Sequence, residues 1–218
     1  QAFLFVLYLA NMSIHAYALT SVANVKTYLG ITSSSDDALL EMFVNQTTDW
    51  IEQFCGGRRF KDTTYTDDIY ESEFAKEQGD FPTIVRNRNY WLNCRQYPIT
   101  ATAAVVVKYR SGNTSWETQD VSGYEVYNNR GQIYLYGGMP NIRQAVKLTY
   151  SAGYATIPSD LELACIKLVA RQYEKRKSQG KKSESIGGAT IVWADVGAES
   201  VDGDVQSILD TYKRKPVV

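Results

Sequence analysis

The chain has 218 residues, enough for one large domain or a domain carrying an insertion, and enough to bury a sizeable core. Its 23 basic and 24 acidic residues nearly cancel, so no global field draws it to nucleic acid or membrane. The three cysteines, Cys55, Cys94 and Cys165, form no CxxC pair, which argues against a zinc knuckle or redox motif and predicts buried free thiols in a reducing compartment.

Residues 1–11 (QAFLFVLYLAN) are an apolar run too short to span a bilayer, and they lack the basic start of a signal peptide. The expectation is that they lie upstream of a natural start at Met12, with a signal-peptide remnant as the alternative. His15 is the single histidine, which excludes an HExxH zinc site, argues against a Ser-His-Asp or Cys-His arrangement, and reads as a surface residue. Residues 20–30 predict a short helix capped by Thr20 or Ser21, with Val22, Val25 and Tyr28/Leu29 on one face and Gly30 as its stop.

The run Thr32–Asp37 reads as a loop whose hydroxyls and carboxylates suit the start of a second helix, from about Asp36 to Cys55. Its apolar face is predicted as Leu39/Leu40, Phe43/Val44, Thr47, Trp50/Ile51 and Phe54, a rod of roughly 30 Å ended by Gly56-Gly57. Asn11, Asn45 and Asn113 each head a glycosylation tripeptide, but Asn45 falls within this helix, and chance accounts for the pattern. Gly56-Gly57-Arg58-Arg59 reads as a helix stop followed by solvated arginines. No glycine-rich phosphate cradle is present.

From residue 58 to 150 helical periodicity gives way to β-branched and aromatic alternation. Residues 62–80 (Asp67, Asp68, Glu71, Glu73, Glu77, Asp80) are acidic and poorly patterned; lacking the spacing of a calcium loop, they are read as a mobile surface loop. Ala104–Arg110 and Thr114–Thr118 flank Ser111-Gly-Asn113, and Tyr124–Tyr127 and Gln132–Tyr136 flank Asn128–Gly131, which predicts two hairpins. The 16 tyrosines and 4 tryptophans suit interfaces and sheet surfaces equally well.

The alternation Val146, Leu148, Tyr150 predicts a strand that stops at Gly153, where positive φ is allowed. Pro158 then pre-sets a helix start, and Ser159 or Asp160 can accept a hydrogen bond from a free first-turn amide. Leu161, Ala164/Cys165, Leu168/Val169 and Gln172/Tyr173 follow as one buried stripe. The helix ends in a cluster of cations, Arg171, Lys175, Arg176, Lys177, Lys181 and Lys182. A solvated helix end opposing the dipole is one reading; contact with phosphate or an acidic protein surface is the other. Residues 178–188 read as a polar linker, Ala189–Trp193 as a short apolar strand, and the last segment as a helix capped by Asp202 with Val205, Ile208/Leu209 and Tyr212 on one face. A linker, a lone strand and a small helix resemble an arm that pairs with something else.

The order of these motifs resembles the head–tail connector (adaptor) proteins of long-tailed double-stranded DNA phages and related gene-transfer particles. The residues that carry the resemblance are Leu19–Gly30, Asp36–Glu41 and the helix to Phe54, Tyr97-Pro-Ile-Thr, Tyr124-Glu-Val-Tyr, Val146–Arg176 and Val205–Arg214. It implies a non-enzymatic virion protein, present in the host cytoplasm during assembly, that forms a ring of commonly twelve subunits under the portal. The ring would extend the DNA channel, without sequence specificity, and dock a stopper or tail-completion protein.

By that resemblance a C-terminal arm engages the portal, with Ile191, Val192, Trp193, Val205, Ile208, Leu209 and Tyr212 as its contact residues. The cations Arg171–Lys182 would face the channel or an acidic partner. No cofactor, metal or membrane is implied. The expected fold is α+β: a helical core of three main helices (19–57 and 151–182), a hairpin-rich antiparallel insertion at 58–150, and a strand-plus-helix arm at 183–218, behind an N-terminal extension at 1–18. The competing reading is an aromatic-rich module that binds protein or carbohydrate on a virion or cell surface, with an exposed aromatic groove in residues 60–150.

Overall fold

The computed structural model describes residues 13–70, 84–86, 89–101, 104–111, 115–137, 144–178, 183–186, 189–192 and 203–213. The apolar run 1–11, acidic residues 71–80, Lys181, Lys182, Trp193 and the cap at Asp202 lie outside them. The fold is mixed α+β and divides into two compact units, the first from residues up to Gly57 and from Ile157–Arg214, the second centred on Arg58–Thr156.

In the first unit α1 (Val22–Leu29), α2 (Asp37–Phe54) and α3 (Ser159–Ser178) pack on one another, and α4 (Gly203–Tyr212) packs on α3. Ser21 caps α1 through its side chain, which accepts from the Asn24 amide at 3.2 Å. Gly30 closes it at φ 68°, a left-handed conformation that a β-carbon would penalise. Val25 is the buried residue of α1, and Tyr28 points out. Helix α3 follows its expected stripe, with Leu161, Ala164, Cys165, Val169 and Tyr173 buried. The Asp160 carboxylate accepts from the Leu161 amide at 2.9 Å.

Helix α2 departs from expectation in one respect. Leu40, Val44, Thr47, Ile51 and Cys55 are buried, but so are Asn45, Thr48 and Glu52, whereas Trp50 is turned outward and stacks on Phe54. The buried stripe is therefore rotated toward the polar side. Partners explain it: Asn45 accepts from the His15 amide (2.8 Å) and donates to the Ser13 carbonyl (3.1 Å), and Thr48 Oγ1 accepts from the Leu19 amide (3.2 Å). Buried polar groups are tolerated when satisfied, so the incoming segment 13–20 accounts for the burial of Asn45 and Thr48. His15, expected on the surface, is half-buried here and lies against Tyr17.

Among the described residues the second unit holds two four-stranded antiparallel sheets. The first has the order β1 (Thr63–Tyr70), β8 (Val146–Ala152), β4 (Val106–Ser111), β5 (Ser115–Thr118). The second runs β2 (Ile84–Arg86), β3 (Asn89–Asn93), β7 (Gln132–Leu135), β6 (Tyr124–Tyr127). Both predicted hairpins are present, as β4–β5 and β6–β7. Leu92, Ile133 and Leu135 from the second sheet share one apolar core with Val107, Val146, Leu148 and Tyr150 from the first. Inward residues alternate with outward ones along β8, as a half-buried strand requires.

Two readings of this region are corrected. Residues 63–70 are not loop but β1, paired along β8 with an irregularity between Tyr65 and Asp68. Tyr65 alone of its first residues turns inward, stacking on Tyr150 at 5.4 Å; acidic neighbours hide such a strand from pattern reading. Arg58 is not solvated. It is 3% exposed, its guanidinium lies 3.7 Å from the centre of the Tyr97 ring and 5.1 Å from that of Phe60, and Nη2 donates to the Tyr97 carbonyl at 2.8 Å. Two ring faces and the Tyr97 carbonyl take up part of what a buried arginine's charge and donors require.

Gly153 is the point where only glycine fits. Its φ is 125°, and a β-carbon there would lie 2.6 Å from the Lys61 carbonyl oxygen. That contact lets the chain leave β8 beside Lys61, which bridges Tyr154. Finally, the stretch read as a linker contains β9 (Ser183–Ile186), which pairs antiparallel with β10 (Ala189–Val192) in a two-stranded sheet.

Candidate functional site

Reactive chemistry finds little support among the described residues. They contain no group of three His, Cys, Asp or Glu side chains able to hold a metal. Cys55, Cys94 and Cys165 are free and buried, as their burial habit predicted. Burial pushes the Cys165 thiol up to about 12, so at neutral pH it stays protonated and is a poor nucleophile. No helix of the described residues is long and apolar enough to cross a membrane.

The residues assigned to the C-terminal contact fall into three groups. Ile191 and Val192 lie on β10, whose backbone alone is described, and Trp193 lies outside the described residues. Val205 and Leu209 are buried within the first unit, with Cys55 Sγ 3.7 Å from the Leu209 carbonyl. Ile208 and Tyr212 are half-buried, and the Tyr212 hydroxyl donates to Asp160 at 2.7 Å. Lys167 pairs with Asp204, holding the start of α4 to α3 and keeping the Asp204 carboxyl below the usual carboxylate range. The apolar stripe of α4 thus meets its own helical unit.

The cations at the end of α3 differ in their surroundings. Arg176 is engaged internally: its guanidinium bonds Asp36 at 2.7 Å and lies 3.9 Å from the centre of the Tyr173 ring. The Tyr173 hydroxyl also donates to Asp36, and that hydrogen bond raises the tyrosine's pKa. Asp36 therefore joins the start of α2 to the last turns of α3. Lys175 is exposed and Arg171 half-buried, while the side chain of Lys177, with Lys181 and Lys182, lies outside the described residues.

The structure also assembles a surface that pattern reading did not single out. Trp91, Tyr134 and Glu125 are directly opposite one another on β3, β7 and β6, on the sheet face away from Leu92, Ile133 and Leu135. Trp91 lies 4.8 Å from Tyr134 and 5.0 Å from Tyr127, ring centre to ring centre, and Tyr136 meets Tyr134 edge-on at 5.3 Å. The Tyr127 and Tyr136 hydroxyls both donate to Glu125 Oε2, at 3.0 and 3.1 Å. The signal for this face was the alternation Tyr134, Tyr136 beside Trp91; it needed the strand order to become a cluster.

Packed helices, two antiparallel sheets and an aromatic outer sheet face make this a mixed α+β protein. The chain belongs to the head completion protein family, whose model matches residues 18–215. The family is structural rather than enzymatic, and the match makes this a phage head assembly and connector protein of the virion, interacting with other head or tail proteins. No curated protein matches the chain.

Proposed function

We propose that the protein is a head–tail connector that forms a ring beneath the portal, extends the DNA channel and docks the next neck or tail protein. The observation that carries this reading is the β9–β10 hairpin, set in a protein of the head completion family. An isolated two-stranded hairpin is marginal in water, so one that pairs with no other described strand gains from a partner's sheet edge. Ile191, Val192 and Trp193 would supply its apolar contacts to the portal by strand addition. The burial of Val205 and Leu209 supports a narrower role for α4: it anchors the far end of the arm, and Ile208 and Tyr212 form its outer edge.

Lys175, with Lys177, Lys181 and Lys182, is the part of the cationic cluster proposed to face the channel or an acidic partner. Arg171 flanks it. Arg176 serves the Asp36 contact instead, so its reversal would report on folding rather than on DNA.

The test is the mass of the purified protein alone and mixed with its portal. A chain with residues 183–192 replaced by a Gly/Ser linker, which leaves α4 in place, runs beside it. The intact chain is expected to form a ring-sized complex with the portal and the replaced chain to remain apart. Absence of portal binding by the intact chain overturns the connector reading. Equal binding by both chains removes the hairpin from it.

A further inference from the structure

Glu125 is exposed on β6, and its described partners are two phenolic hydroxyls and no cation. Two donors on one carboxylate oxygen hold the group in a fixed orientation and leave its negative charge uncompensated. Around it stand four aromatic rings. Trp91 makes a 51° angle with both Tyr127 and Tyr134, and Tyr134 and Tyr136 meet at 89°. Tyr136 is 51% exposed. Cross-strand packing accounts for adjacent rings on a sheet. It does not account for two hydroxyls converging on one uncompensated carboxylate.

The chemistry narrows the occupant. Phosphate is repelled by Glu125, which disfavours a nucleic acid. A sugar stacks best on a flat, open ring, whereas these rings are tilted against one another. A cation gains from both features at once: ring faces attract it, by about 0.5–1 kcal/mol each at exposed sites, and the carboxylate neutralises it. A guanidinium fits better than an ammonium, because it stacks on a ring while its edge reaches a carboxylate oxygen.

We propose that this face of the second sheet is a docking site for an arginine side chain carried on an exposed segment of a partner protein. The proposal uses no residue of the β9–β10 hairpin, so it stands or falls separately from the portal contact.

The full chain is titrated with a short peptide, acetyl-Gly-Arg-Gly-Arg-Gly-amide, and with the same peptide carrying citrulline for arginine, while NMR follows the Trp91 indole signal. Citrulline keeps the shape and removes the charge. The arginine peptide is expected to give saturable shifts at Trp91. The citrulline peptide, and the arginine peptide with Glu125→Gln, are each expected to bind about ten-fold more weakly. Glu125→Gln is isosteric and exposed, so an unchanged spectrum elsewhere certifies the fold. Trp91→Leu is expected to abolish the shifts at the tyrosines.

Equal binding of the two peptides, no effect of Glu125→Gln, or no saturation up to about 10 mM overturns the proposal. Tighter binding of maltopentaose at the same signals assigns the face to carbohydrate and also overturns it. Shifts that follow protein concentration without peptide assign the face to a second copy and overturn the proposal likewise.

Discussion

The helical unit and the β unit use their polar groups differently. In the helical unit they join segments far apart in sequence: Asn45 to Ser13 and His15, Glu162 to Thr20 and Asn24, and Asp36 to Tyr173 and Arg176. In the β unit the core is almost wholly apolar, with Arg58 buried beside it, and Trp91, Glu125, Tyr127, Tyr134 and Tyr136 lie on the outer face of the second sheet. Polar groups that pair within their own unit offer little to a partner. A unit that holds a carboxylate and four rings in fixed positions at its surface offers a great deal. The difference teaches that the clustered aromatic and acidic side chains sit on the sheet, although the helices carry the most legible sequence.

The sharpest way to break the comparison is at Gly153. Gly153→Ala adds a β-carbon against the Lys61 carbonyl and leaves alanine at φ 125°. Strain and overpacking together are expected to cost about 3 kcal/mol or more. Chemical denaturation with amide exchange is the measurement, and loss of protection should centre on β1 and β8. A cost below about 1 kcal/mol would show that the turn relaxes and that the β unit is less tightly constrained than its geometry implies.

A middling effect is expected in the helical unit. Asn45→Ala leaves the Ser13 carbonyl and the His15 amide without their partner and should cost about 1–2 kcal/mol. Asn45→Asp keeps the acceptor for His15 but loses the donor to Ser13, so it should fall between. If both variants match the wild type in denaturation, the polar rotation of α2 is incidental.

The smallest effect concerns α4. Lys167 holds the Asp204 carboxyl below the usual range, and Lys213 does the same for Asp210. A depressed folded-state pKa gives stability that is present above the ordinary aspartate value, about 4, and lost as pH falls through the folded value. Protection factors across Val205–Tyr212 should therefore fall as pH drops below about 4, and Lys167→Ala should remove the part of that pH dependence due to Asp204. Unchanged protection in the wild type would show that Val205 and Leu209 alone seat the helix.

Much of the helical unit was legible because local chemistry sets it. The serine cap and Gly30 and the stripe from Leu161 to Tyr173 depend on residues within a few positions of one another. The two hairpins were legible for the same reason. What stayed hidden depended on distant partners. Thr63–Tyr70 reads as an acidic loop until Val146–Ala152 lies beside it, and Arg58 reads as solvated until Tyr97 and Phe60 enclose it. By sequence Arg176 belongs to one cationic cluster, and only the approach of Asp36 separates it.

The sequence by itself determined the α+β class, the helix limits, the two hairpins and the family, because periodicity, caps and motif order are local and survive without a structure. The tertiary structure alone decided which face of α2 is buried, where β1 runs, and that Trp91, Tyr127, Tyr134 and Tyr136 gather round Glu125. Those facts rest on strand order and on contacts between residues tens of positions apart, and no short window of sequence carries them.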